Sequence, residues 1–332
     1  MIEIDGSQGE GGGQIVRTAT ALAAVTGTPI RIVKIRKNRP QPGLKPQHLK
    51  TLETLARITE AKVEGLELSS TQITFKPHRI RGGSYNLDIG TAGSITLALQ
   101  CLMLAATRAE GPMHLKIRGG TDVAWSPPID YLINVTLPVL RKMGYRGEVK
   151  LIQRGYYPRG GGVVEAILHP ASLKPLDLSL PLAGDKITGI SHASNLPTVA
   201  RRQARAAENL LRKAGCQPEI TIEEHNLPST GSGITLWQGS LGANSLGARG
   251  KPAEKVGKEA AQNLLREIKS KATADIRLTD QLIPYMALAG SGALKTREIT
   301  LHTETNIQVT GQLLEKTFQI THQNGLFQIQ TQ

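Results

Sequence analysis

The chain reads as an α+β protein, α/β-like in its alternation, built from three βαβαββ repeats that carry a smaller inserted α+β domain. Three observations predict this. Strand and helix periodicities recur in one order at two places, a third copy begins and is interrupted, and glycines and prolines gather at the junctions between runs.

The first copy spans residues 2–77: a short strand, an apolar helix from Gly12 to Thr26, a strand from Pro29 to Arg36, a helix from Pro46 to Ile58, and strands Lys62–Leu68 and Gln72–Pro77. Residues 84–168 repeat it, with strand Ser84–Ile89, helix Ser94–Thr107, strand His114–Arg118, helix Pro128–Met143 and strands Glu148–Arg154 and Gly162–Leu168. A third copy opens at Leu176–Leu180 and resumes at Thr279 with a helix. Strand Glu298–His302, helix Asn306–Glu315 and strands Phe318–Thr321 and Leu326–Gln330 complete it. The interruption, residues 184–272, holds helices Val199–Ala214 and Ala253–Ser270 around strand-like runs Glu219–Ile222 and Ile234–Trp237. Residues 1–183 and 273–332 then form the large repeat-built domain.

At 332 residues, 39 % hydrophobic and 20 % charged, the composition is that of a globular chain with well-buried cores. No uninterrupted apolar stretch reaches membrane-spanning length, and Met1–Gly6 lacks a basic lead and apolar run, so a cytoplasmic location is expected. Cys101 and Cys216 stand far apart, which excludes a disulfide framework and a thiolate zinc site. Forty Lys and Arg against 27 Asp and Glu give a net charge of +13, suited either to phosphate-rich partners or simply to a soluble basic surface. Aromatics are only 3 %, so no broad base-stacking platform is expected, and an RNA partner would be gripped at an end.

Two glycine-rich stretches stand out, Gly9-Glu10-Gly11-Gly12-Gly13-Gln14 before a helix and Arg154-Gly155-Tyr156-Tyr157-Pro158-Arg159-Gly160-Gly161-Gly162 between strands. Either suits an anion held on backbone amides, and either equally suits tight turning. Neither is a Walker A loop or a complete dinucleotide-binding fingerprint.

The second stretch, continued to Val164, resembles the signature of RNA 3'-terminal phosphate cyclases. Asp5 to Arg17, Arg39 to Leu44 with Gln47-His48-Leu49, Gly93-Ser94 and Asp280-Gln281-Leu282 resemble other blocks of that family in the same order. The resemblance covers essentially the whole chain. It implies repeats similar to the C-terminal domain of translation initiation factor three. It also implies a reaction in which a histidine takes AMP from ATP, AMP passes to an RNA 3'-phosphate, and the neighbouring 2'-hydroxyl closes a 2',3'-cyclic phosphate. The histidine it selects is His302, expected at a strand end before helix-capping Thr303, Glu304 and Thr305. For ATP it points to Gln100 and to Arg277, Leu278, Thr279, Asp280 and Gln281, with Pro127 and Leu278 bracketing the base; an aromatic or histidine common among relatives is replaced by Arg277. Asp280 also reads as a dipole-favouring residue early in a helix. Glu10 is the candidate ligand for a divalent metal, Mg or Mn, among the phosphates. Arg17, Arg36 and Arg39 are candidate phosphate holders, and His48 is either a phosphate contact or a packing and capping residue. A line of Arg201, Arg202, Arg205, Arg212 and Lys213 reads as a solvated face, with an RNA track as the alternative. Two other readings stay open: a non-catalytic, cyclase-like RNA-binding factor of ribosome assembly, and a transferase on the repeated fold of enolpyruvyl-transfer enzymes. The sequence allows a homodimer without specifying one.

Overall fold

The computed structural model describes residues 1–180 and 186–331. The first unit runs β1 (Ile2–Asp5), α1 (Gly13–Thr26), β2 (Ile30–Val33), α2 (Pro46–Thr59), β3 (Lys62–Glu64) and β4 (Ile73–Lys76). The second runs β5 (Gly83–Asp88), α3 (Ile95–Ala106), β6 (Met113–Gly119), α4 (Ile129–Tyr131), a π-helical turn at Leu132–Thr136, α5 (Leu137–Lys142), β7 (Gly147–Gln153) and β8 (Gly162–Leu168). After β9 (Leu176–Leu178) come β10 (Ile187–Ser194), α6 (Val199–Lys213), β11 (Pro218–His225), β12 (Gly231–Gln238), β13 (Leu241–Leu246) and α7 (Ala253–Ser270). The chain closes with α8 (Ile276–Leu288), β14 (Gly292–Thr296), α9 (Leu301–Leu314), β15 (Phe318–Gln323) and β16 (Leu326–Thr331).

Three four-stranded sheets share one strand order, β1-β2-β4-β3, β5-β6-β8-β7 and β9-β14-β16-β15. In each, the first two strands in sequence are parallel neighbours and the last two form an antiparallel pair. Strict alternation in β6, buried at Met113, Leu115, Ile117 and Gly119, turns one face of its sheet to the helices and the other to solvent. Helix α3 is buried on nearly every side and touches α1, α2 and α8, so it forms the axis on which the units pack. One hydrophobic core runs through all three units. Strands β10 to β13 form a fourth sheet, order β11-β10-β12-β13, that packs against α6 and α7 around a second core including Ile187, Leu211, Leu236 and Leu264. The expected start of the inserted segment at residue 184 lies outside the described residues.

Several expectations need correction. The strand placed at Glu298–His302 is β14, ending at Thr296, and the helix after it starts at Leu301 rather than Asn306. Thr300 caps that helix, its hydroxyl accepting from the Thr303 amide at 3.2 Å, so Thr303, Glu304 and Thr305 are inside the helix rather than capping it. The helix expected from Thr279 starts at Ile276, where Asp275 Oδ1 accepts from the amides of Arg277 and Leu278 at 2.8 and 3.1 Å. The helix expected at Pro128–Met143 is present from Ile129 to Lys142, with a π turn at its middle whose Leu132 and Thr136 line a cavity. Strands β10 and β13 were not anticipated: Gly189, Ser191, Ser194, Gly242, Asn244 and Ser245 obscure their apolar alternation.

Candidate active site

Helices α1, α8 and α9 converge where the first unit meets the third, and hydrogen bonds spanning almost the whole chain fasten the junction. The Glu10 amide donates to Thr305 Oγ1 at 2.9 Å, Thr18 Oγ1 donates to Asn306 Oδ1 at 2.9 Å, and Asn306 Nδ2 donates to the Asp280 carbonyl at 2.7 Å. Two cavities of about 610 and 1520 Å³ open here. They share a wall containing Glu10, Gln14, Arg17, Arg39 and His302.

His302 occupies the first turn of α9. Gln14 clasps it twice: its Nε2 donates to the His302 carbonyl at 3.1 Å, which leaves its Oε1 facing His302 Nδ1. An amide oxygen only accepts, so Nδ1 carries the proton and Nε2 keeps a free lone pair. Partial burial, with the positive charges of Arg17 and Arg39, holds the imidazole below its usual pKa and so neutral near pH 7. A neutral imidazole with a free nitrogen lone pair has the chemical form a nucleophile needs. Gln14 was missed in the sequence, where it reads only as the residue ending a glycine run.

The smaller cavity is lined by Gln100, Pro127, Arg277, Asp280 and Gln281 besides the shared wall. Burial and the neighbouring Asp275 push the Asp280 carboxyl up to about 8, against the pull of Arg277 and Arg17, leaving it largely protonated at neutral pH. The Gln281 amide is already engaged, accepting from Thr136 Oγ1 at 3.0 Å and donating to the Arg277 carbonyl at 3.0 Å. Leu278 and Thr279 do not line this cavity. Both are fully buried on the inner face of α8, Leu278 in the core and Thr279 Oγ1 on the Asp275 carbonyl at 2.9 Å. The bracketing of a base by Pro127 and Leu278 is therefore not available; Pro127 alone faces the space.

The larger cavity adds Arg36, Lys45 and His48. Arg36, with φ 53°, donates to the Gln41 and Gly43 carbonyls at 2.8 and 2.9 Å, which shapes the loop before α2. Arg39 donates to the Glu10 carbonyl at 3.0 Å and pairs with the Glu10 carboxylate. Arg17 is buried, and desolvation lowers its pKa to about 10, so its charge persists at neutral pH. His48 Nδ1 accepts from the Lys45 amide at 3.1 Å, while burial followed by Arg17, Arg36 and Lys45 lowers its pKa to about 3. It is a neutral imidazole with a proton on Nε2, a hydrogen-bond donor rather than a base. A Cβ at Gly13 would stand 2.1 Å from that nitrogen, which explains why the glycine run passes here.

The Glu10 Oε2 atom is buried without a hydrogen-bond partner, as fits a carboxylate that shares a divalent ion with phosphates. Among the described residues, Asp122, Asp130 and His192 also cluster with ligand atoms within 4.8 Å. That site already holds a cation, the buried Arg154, with Nη1 at 3.3 Å from Asp122 and 3.0 Å from Asp130 and Nη2 at 2.7 Å from Glu223. The second glycine stretch thus contributes an ion-paired buttress between the second unit and the fourth sheet. Its Gly160, with φ +65°, would press a Cβ to 2.9 Å from Ala92 Cα, so close backbone packing accounts for this position.

Comparison with known proteins supplies the family. The family model for RNA 3'-terminal phosphate cyclase matches residues 8–320. An RNA 3'-terminal phosphate cyclase of Methanosarcina mazei is 53 % identical over 99 % of both chains. Those of Pyrococcus furiosus, 51 % identical over 96 % of this chain and 95 % of its own, and of Archaeoglobus fulgidus, 49 % identical over 95 % and 96 %, are similar over nearly the same extent. With the match running through the loop of Glu10, the helix of Asp280 and the first turn that carries His302, the chain belongs to the RNA 3'-terminal phosphate cyclase family.

Proposed function

We propose that the protein converts an RNA 3'-terminal phosphate to a 2',3'-cyclic phosphate at the expense of ATP, through a His302–AMP intermediate. The observation that carries this reading is the free Nε2 lone pair of a neutral imidazole at the wall between two cavities. ATP occupies the smaller cavity, with Gln100, Pro127, Arg277 and Asp280 toward its nucleoside. Nε2 attacks the α-phosphorus, an N–P bond forms, the α–β P–O bond breaks and pyrophosphate leaves. Nδ1 keeps its proton, donated to Gln14 Oε1, so the phosphoryl group sits on a cationic imidazolium and transfers readily. An oxygen of the RNA 3'-phosphate then takes AMP and returns the lone pair to Nε2. Finally the tethered 2'-hydroxyl attacks the 3'-phosphorus, loses its proton and expels AMP, a closure in which proximity supplies up to ~7–11 kcal/mol.

Arg17, Arg36 and Arg39 hold the phosphates, and the His48 Nε2 proton donates to a phosphate oxygen. A Mg or Mn ion bound through Glu10 would neutralise phosphate charge when present. The shared strand order supports reading the three sheets as repeats similar to the C-terminal domain of translation initiation factor three. The separate second core supports an inserted domain at about residues 184–272. Incubation with α-labelled ATP and divalent metal should yield an acid-labile protein–AMP adduct that His302→Ala abolishes. Absence of the adduct, or its survival in His302→Ala, overturns the proposal.

A further inference from the structure

We infer that Trp125 and Tyr157 form a stacking platform for the last bases of the RNA, Trp125 taking the base next to the reacting phosphate; this rests on the function proposed above. The chain has few aromatics, and almost all are wholly or partly buried. Among the described residues only two aromatic side chains are exposed, Trp125 at 99 % and Tyr157 at 76 %, and both line the larger cavity. Trp125 also belongs to the wall shared with the smaller cavity, as His302 does, whereas Tyr157 faces the larger one alone. That order places the terminal base at Trp125 and the preceding one at Tyr157.

The backbone holds the indole in this costly position. Trp125 has φ +67°, a left-handed conformation disfavoured for a bulky residue, and its ring gains no burial within the chain in return. The loop around it is pinned on both sides. Thr96 Oγ1 donates to the Pro127 carbonyl at 2.6 Å, Ser126 Oγ donates to the Val123 carbonyl at 3.1 Å, and Asp122 is buried against Arg154. A rigid loop presenting a bare indole beside a cavity with Arg39 and Arg249 on its walls has the makings of a nucleobase site: a π face for the base and cations for its phosphates. Stacking is indifferent to base identity, so the platform predicts end recognition without sequence preference.

The test is a cycle of two cuts, one in the protein and one in the RNA. Affinity for a 3'-phosphorylated oligoribonucleotide is measured without ATP, and its KM in turnover, for the wild type, Trp125→Ala, Trp125→Phe and Tyr157→Ala. Each is repeated with an oligonucleotide whose terminal nucleoside lacks its base. Trp125→Ala should weaken RNA binding roughly 5- to 150-fold, the range of base–aromatic stacking, while Trp125→Phe retains most of it. Removing the terminal base should weaken binding to the wild type similarly but cost Trp125→Ala little. Tyr157→Ala should weaken binding of both oligonucleotides. Equal cost of base removal in the wild type and Trp125→Ala overturns the platform. So does a Trp125→Ala defect confined to the KM for ATP, which would assign the indole to adenine. Failure of the wild type to form protein–AMP would instead strike the proposed function, and the ATP-free binding cycle would still decide the platform.

Discussion

Gln14→Met is the sharpest probe of the site, because it keeps side-chain length and removes only the amide that orients His302. Two hydrogen bonds are lost, Nε2 to the His302 carbonyl and Nδ1 to Oε1. At ~0.5–1.5 kcal/mol each, the loss is about 1–3 kcal/mol, or roughly 5- to 150-fold in rate. The second bond strengthens as the ring becomes cationic during attack on phosphorus, so the defect belongs in the rate constant rather than in ATP affinity. Single-turnover formation of labelled protein–AMP at saturating ATP measures it directly. Gln14→Glu offers a contrast: its carboxylate accepts the same proton but raises the imidazole pKa, moving the acid limb of the rate profile upward. Adenylylation by Gln14→Met at the wild-type rate, or a change confined to the KM for ATP, would refute the assignment of Nε2 as the free nitrogen.

Other expectations can be checked alongside. In the proposed mechanism neutral imidazole is the reactive form, and burial, Arg17 and Arg39 depress the His302 pKa, so adenylylation should fall only below pH 6.5; Arg39→Gln should move that limb upward. His48 has a folded pKa of about 3 against an unfolded 6.5, so the unfolded chain binds the extra proton between these values. The stability this residue confers is therefore complete above pH 6.5 and falls as pH drops toward 3, by up to about 1.4 kcal/mol per pH unit; His48→Gln should flatten that part of a urea-denaturation profile relative to the wild type. Arg154→Met leaves Asp122 and Asp130 buried without their cation and should cost about 3–5 kcal/mol in chemical denaturation. Glu10→Gln should raise the divalent-ion concentration for half-maximal adenylylation roughly tenfold or more, read by titrating Mn.

The sequence exposed what depends on local pattern. Helices such as α1, α2, α3 and α7 were legible because their apolar spacing and their glycine, proline or serine boundaries agree. His302, Arg17, Arg39, Glu10 and Asp280 were found as candidates through motif order, and they share one cavity. What escaped depends on tertiary context. Whether Thr300 or Thr303 caps α9 turns on a strand ending at Thr296, which the intervening Arg297, Glu298 and Ile299 do not advertise. Leu278 and Thr279 sit beside Asp280 in sequence, yet the helical turn sends them into the core. Gln14 lies inside the block from Asp5 to Arg17, yet nothing local singles it out, since its role exists only once α9 arrives 288 residues later. The low aromatic content argued against stacking, and no count of residues reveals that the two exposed rings border the same space.

The clasp between Glu10–Gln14 and His302–Thr305 has an implication for synthesis as well as chemistry. Because residues 10–14 and 302–305 each supply half of this corner, a nascent chain not yet extended past residue 305 cannot form the clasp and, under the proposed function, could not consume nucleotide. Docking of the third unit on the first through α1 and α9 is therefore the step that would create the reactive corner of the proposed mechanism.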